Sequence, residues 1–127
     1  MPDIKYSDDK IALKYSNAPN YFKIAKKAVR EMHRQVGDLV LDDKGIAVKG
    51  LLIRHLVLPN SLAGSEKIFQ FLAQDISKNT FLNIMNQYFP AWKTDQYPEL
   101  SRPITEKEYQ EAVNLAKKAG LKRIYHF

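Results

Sequence analysis

The chain has 127 residues and no cysteine. It therefore has no disulfide, no thiolate metal site and no cysteine nucleophile of its own. Glycine is scarce, with five residues, and the loop at 60–64 lacks a phosphate-loop glycine pattern, so it reads as an ordinary strand-to-helix connection. No apolar run approaches the ~20 residues of a membrane-spanning helix. The N-terminus, Met1-Pro2-Asp3-Ile4-Lys5, has no apolar signal core. A cytoplasmic location and no membrane partner are the expectations. The charge is not balanced, at +6, but the basic residues are spread over helices with no long run and no stacked aromatic platform. Nucleic acid is not expected, and a solvated basic surface accounts for most of the excess. The apolar fraction, 45%, is that of a globular protein and excludes disorder. The length makes one domain, or part of a larger one.

The most apolar stretch is Leu51-Leu52-Ile53-Arg54-His55-Leu56-Val57-Leu58-Pro59. It is short, bounded by Gly50 and Pro59, and reads as a buried strand covered on both faces, the habit of parallel sheets. Arg54 lies inside it. A buried guanidinium needs a partner or a wet cavity, because leaving it bare costs several kcal/mol. His55 faces the other way and reads as a satisfied core histidine.

In chain order, residues 3–6 form a short alternation. Taken alone it reads as a frayed, charged N-terminus; as a strand, it puts Asp3 and Lys5 on one face. Residues 10–15 suit one helical turn. Asn17 or Asn20 near Pro19 starts a helix with Phe22, Ala25, Val29, Met32 and Val36 as its stripe and Gly37 as its end. Phe22 and Met32 are expected in the core and His33 on the surface. Residues 39–41 and 46–48 flank Asp42-Asp43-Lys44-Gly45 as a β-hairpin. Ser65 is expected to cap a helix over 66–75 carrying Ile68, Phe69, Leu72 and Ile76. Residues 81–88 form the next strand. A proline-bearing loop runs from 89 to 103, with aromatics expected to pack it down. Thr105-Glu106-Lys107-Glu108 matches a capping box. It opens a helix with Tyr109, Ala112, Val113 and Ala116 inward and Gly120 at its end. A last strand covers 123–127.

Strands alternating with amphipathic helices imply parallel βα units with right-handed crossovers. The expectation is a single α/β unit over residues 1–127 with about four parallel strands, three helices and a small hairpin, and with an open sheet edge on the Asp3 strand. In a barrel-like sheet the helices cover one side and the other side is the interior. If Leu82 and Ile84 face the helices, then Asp3, Lys5, Arg54, Asn83, Met85 and Gln87 face inward. That polar set suits a small zwitterion, with its carboxylate on Arg54 or Lys5 and its ammonium on Asp3.

Four stretches carry a resemblance. Pro2-Asp3-Ile4-Lys5-Tyr6, the run 50–60, Asn83-Ile84-Met85-Asn86-Gln87-Tyr88 and Tyr97-Pro98-Glu99-Leu100 together resemble radical S-adenosylmethionine proteins of the pyruvate formate-lyase activating enzyme type. The likeness covers essentially the whole chain but only the C-terminal half of that family's domain. It implies the C-terminal part of a partial (β/α)6, TIM-like barrel, with S-adenosylmethionine and a 4Fe-4S cluster as the cofactors of the complete domain. Asp3-Ile4-Lys5 is similar to the Asp-Leu-Lys triplet that holds S-adenosylmethionine. Arg54 matches the strand arginine near the ligand's carboxylate, and Gln87 lies close to a position where activating enzymes carry a histidine. The family's Cys-x3-Cys-x2-Cys loop is missing. The expected cofactor-binding residues are thus Asp3, Lys5, Arg54 and Gln87, with no metal ligand and no catalytic residue. The chain is expected to be inactive alone, as a truncated product or an expressed fragment, and to pair as a homodimer through its open edge. The competing reading is a stand-alone α/β binding domain with an anion or zwitterion pocket at the strand C-terminal ends. A third is a protein-interaction module using the Trp92 loop.

Overall fold

The computed structural model describes residues 1–126. Its elements are α1 (Asp9–Ser16), α2 (Tyr21–Val36), β1 (Val40–Leu41), β2 (Ala47–Lys49), β3 (Leu52–Leu56), α3 (Ser65–Phe71), β4 (Phe81–Met85), α4 (Glu106–Lys118) and β5 (Arg123–Tyr125). Phe127, expected in the last strand, lies outside the described residues. The α/β class holds, with four α-helices, a parallel sheet in the order β3-β4-β5 and a separate β1-β2 hairpin. The expected fourth parallel strand is reduced to one bridge between Asp3 and Arg54, held by Ile4 N–H to Arg54 O and Arg54 N–H to Pro2 O, both 3.0 Å. Among the described residues no helix is long and apolar enough to cross a membrane.

The N-terminus is not frayed. Ile4 is fully buried and Tyr6 nearly so, because pairing with β3 carries Ile4 into the main core. The helical turn expected at 10–15 forms as the longer helix α1, which Asp8 caps by accepting from the Lys10 and Ile11 N–H groups. Asn20 stands at the N-cap of α2 in a left-handed conformation without a side-chain bond. The Asp9 carboxylate takes the Phe22 N–H instead.

Strand β3 differs most from expectation. Its burial alternates instead of running continuous. Ile53 and His55, with Leu82 and Ile84 of β4, are fully buried against α3 and α4. Leu52, Arg54 and Leu56, with Phe81 and Asn83, are only half-buried on the other face. Helices cover one face of this parallel sheet; the other is half-open, with Met85 at its C-terminal end buried.

Other elements are displaced by tertiary contacts. Ser65 is the first residue of α3 and not its cap; Gly64 stands there at φ 65°, while the Ser65 hydroxyl is taken by His55 Nε2 at 2.8 Å. The helix continues as a π-turn over Leu72–Ile76. Strand β4 stops at Met85, three residues short of the expected end. The α2 stripe fades: Val29 is buried but Met32 is 39% exposed. His33 is partly exposed, and its Nε2 lies 2.9 Å from Asp38. The capping box of α4 forms as expected, and Tyr109, Ala112, Val113 and Ala116 are buried. In the 89–103 loop Tyr97 packs edge-on against Tyr15 and Leu100 is buried, but Phe89 and Trp92 are exposed.

Candidate functional site

Strand pairing puts Asp3, Arg54, Asn83 and Tyr125 in one row across the sheet. All four lie on the face turned away from α3 and α4, because side chains in register share a face. Arg54 Nε donates to Asp3 Oδ1 at 2.7 Å. Lys5 Nζ lies 3.2 Å from Asp3 Oδ2. The Asp3 carboxylate thus bridges two cations, one to each oxygen. Burial pushes its pKa up, but the hydrogen bonds from Arg54 and Lys5 outweigh that and hold it below the usual value.

The row has spare capacity. Among the described residues the two terminal nitrogens of Arg54 have no hydrogen-bond partner. The Asn83 Oδ1 is buried and accepts nothing. An orphaned buried acceptor costs about 1–3 kcal/mol, so a donor supplied there would be stabilising. Donors on Arg54 stand beside an acceptor on Asn83 and a carboxylate on Asp3, the kinds of group that a zwitterion's two charges require.

Three of the four expected site residues are therefore brought together: Asp3, Lys5 and Arg54. Gln87 is not among them. It lies two residues beyond the end of β4, exposed. Asn83 was placed on this face by parity but not among the site residues. Its signal was the register opposite Arg54, which only the pairing of two strands reveals.

The far side of residue 54 is closed. His55 Nδ1 lies 2.7 Å from Ile4 O, Nε2 lies 2.8 Å from Ser65 Oγ, and the ring meets Phe69 edge-on. Desolvation by burial lowers its pKa to about 4, against a smaller upward pull from the Ile4 carbonyl. It is neutral at pH 7 and holds strand to helix.

The C-terminal end of the sheet is braced by the 97–102 segment. Glu99 accepts from Lys14 at 2.7 Å and from the Tyr15 hydroxyl. Arg102 grips both oxygens of Glu108, at 2.8 and 2.9 Å, and also Asn60 at 3.0 Å. Hydrogen bonds from Arg102 hold the Glu108 carboxyl far below the usual range, against burial. Sequence reading missed this bracket because it joins three segments far apart in the chain.

The outer edge of the Asp3 stretch is not bare. The Tyr21 hydroxyl accepts from the Lys5 N–H at 2.9 Å and reaches the Asp3 carbonyl at 3.5 Å.

No protein-family model matches the chain, and no solved structure matches it. The chain is similar to MJ0674, an uncharacterized protein of Methanocaldococcus jannaschii, with 33% identity over 126 residues. That match takes in 98% of this chain and 33% of the other protein, so the chain spans about a third of the length of the relative it matches.

Proposed function

We propose that this chain is the C-terminal part of a radical S-adenosylmethionine domain of the pyruvate formate-lyase activating enzyme type, contributing one side of the S-adenosylmethionine pocket. The observation that carries the reading is the row Asp3, Arg54, Asn83 on the uncovered face of a parallel sheet. In this reading the sheet is a segment of a partial (β/α)6 barrel and that face is its interior. The residues suit the organic ligand: the terminal N–H groups of Arg54 for its carboxylate, Asp3 for its ammonium, and the orphaned Asn83 Oδ1 for a further donor. They do not suit the iron–sulfur cluster, which needs thiolates, and the chain has no cysteine. No radical step is therefore assigned to these residues, and the chain alone is inactive. The relative is about three times as long as the matched stretch, which leaves room for cluster ligands elsewhere in such a protein.

A second reading, a self-contained α/β module with a zwitterion pocket, is favoured by Tyr21. Its hydroxyl occupies the strand edge that a preceding barrel strand would use.

The test is calorimetric titration with S-adenosylhomocysteine, which shares the ligand's carboxylate and ammonium and needs no cluster. Saturable binding is expected, weakened about tenfold or more in Arg54→Ala. A variant that binds as well as the parent chain would overturn the pocket. The reading frame upstream of the Met1 codon and the native mass separate the two readings. An in-frame Cys-x3-Cys-x2-Cys with a larger native mass supports the first. A native mass of this chain alone, with binding retained, supports the second. A mass of two copies would support the homodimer expected at the Asp3 edge.

A further inference from the structure

A cavity lies on the helix side of the sheet, away from the Asp3 row. It has a volume of about 410 Å³ and is enclosed by α1, the β3–α3 loop and the starts of α3 and α4. That volume is in the range of small-molecule sites. Its walls include Ile11, Leu58, Leu62 and Leu115. Its charged lining is opposite in sign to the molecule: four carboxylates against one ammonium, Lys67, in a chain of net charge +6. Two of the carboxylates are committed, since Asp8 caps α1 and Glu108 holds Arg102. The other two are available. Glu111 has no hydrogen-bond partner among the described residues, and Glu66 has only a long contact to Gln70 at 3.4 Å.

Acidic residues around a cavity do not make a site without something that asks for a ligand. Ser7 supplies it. The residue is 9% exposed and lines the cavity. Its main chain is paired with Ala63, yet its hydroxyl has no hydrogen-bond partner among the described residues. The hydroxyl packs against Gly64, which lines the same cavity and, having no side chain, leaves room for it. A Cβ on Gly64 would stand 1.8 Å from Ser7 Oγ.

We propose that this cavity binds a small aliphatic amine. The ammonium is held by the carboxylates of Glu66 and Glu111, the hydrocarbon body lies along Leu58 and Leu115, and a polar group at the far end meets the Ser7 hydroxyl. The charge of the lining selects cations over anions, and the apolar wall selects an alkylamine over a hydrated metal ion.

The experiment is a two-dimensional NMR titration with 1,4-diaminobutane, with 1,4-butanediol and succinate as neutral and anionic controls. Saturable shifts at the Ser7, Gly64 and Glu111 amides are expected for the diamine and not for the controls. The doubly substituted Glu66→Gln/Glu111→Gln chain is expected to bind about tenfold more weakly or worse. Ser7→Ala is expected to bind a few-fold more weakly. Both glutamates are exposed, and unchanged spectral dispersion checks that the fold survives. Arg54→Ala leaves the titration unchanged, which keeps this site distinct from the S-adenosylmethionine reading. Absence of saturable shifts, equal binding of the diol, or binding that ignores both glutamates would each overturn the proposal.

Discussion

Arg54 and His55 are adjacent on one strand, face opposite sides of the sheet and are satisfied in opposite ways. The Arg54 side chain is 36% exposed and its ion pair with Asp3 is only partly desolvated, so the pair is worth about 1 kcal/mol or less. Arg54→Ala is therefore expected to lower the unfolding midpoint by only a few degrees. A larger drop would make Arg54 a structural residue. His55 is different. Its unfolded imidazole protonates near pH 6.5, whereas the folded one resists to about pH 4. The unfolded chain thus binds more protons in that window, and stability falls as pH is lowered through it, by up to about 3 kcal/mol. Above pH 6.5 the contribution is complete. Urea midpoints from pH 7.5 to 4.5 should show the fall, and His55→Gln should flatten it. Equal slopes in both chains would assign the fall to other groups. Asp3 acts lower still: its contribution is present above its ordinary value of 3.8 and is lost as pH falls through the depressed folded value.

Among the elements, those specified by near neighbours were legible. The capping box of α4 is built within four residues: Glu108 N–H donates to Thr105 Oγ1 at 3.2 Å and Thr105 N–H to Glu108 Oε2 at 2.8 Å. Thr105→Ala is expected to cost about 1 kcal/mol, measured by urea unfolding. The start of α3 was misread because the Ser65 hydroxyl serves His55, ten residues back, and Gly64 adopts the left-handed turn instead. The hairpin was legible from its Asp42 to Gly45 turn, but its apolar residues were not placed: Val40, Ile46 and Val48 are more than half exposed. The edge of the Asp3 stretch was read as open because nothing in the sequence pairs Tyr21 with Lys5. Tyr21→Phe removes the acceptor for the Lys5 N–H and is expected to speed hydrogen exchange at that amide, at a cost of about 1 kcal/mol. Unchanged exchange would mean that the Tyr21 bond contributes nothing at the edge.

At the scale of the whole molecule, the asymmetry of the parallel sheet matters most. Parallel sheets are ordinarily covered on both faces, and here helices cover one. Leu82, fully buried on the helix side, and Leu52, half-buried on the other, give a paired test. Leu82→Ala is expected to cost about 2–5 kcal/mol and Leu52→Ala less than half of that, by urea unfolding at one protein concentration. Equal costs would mean that a second copy or another segment covers the open face in solution. The same asymmetry separates the two proposed ligand surfaces: the Asp3 row on the open face and the acidic cavity among the helices.

The sequence by itself determined the α/β class, the approximate places of the strands and most helices, the capping box of α4 and the parity that puts Asp3, Lys5, Arg54 and Asn83 on one face. Each of these follows from spacing within a few residues, where side-chain direction is set by the local backbone. Tertiary structure alone decided that Ile4 is core, that the face carrying Arg54 is left half-open and that Gln87 stands apart from the row. It also decided that Ser7, Glu66 and Glu111 meet around one cavity. Those outcomes depend on which segments pair and how far each strand runs, and pairing across some fifty residues of chain, as between Asp3 and Arg54, is a property of the packed whole.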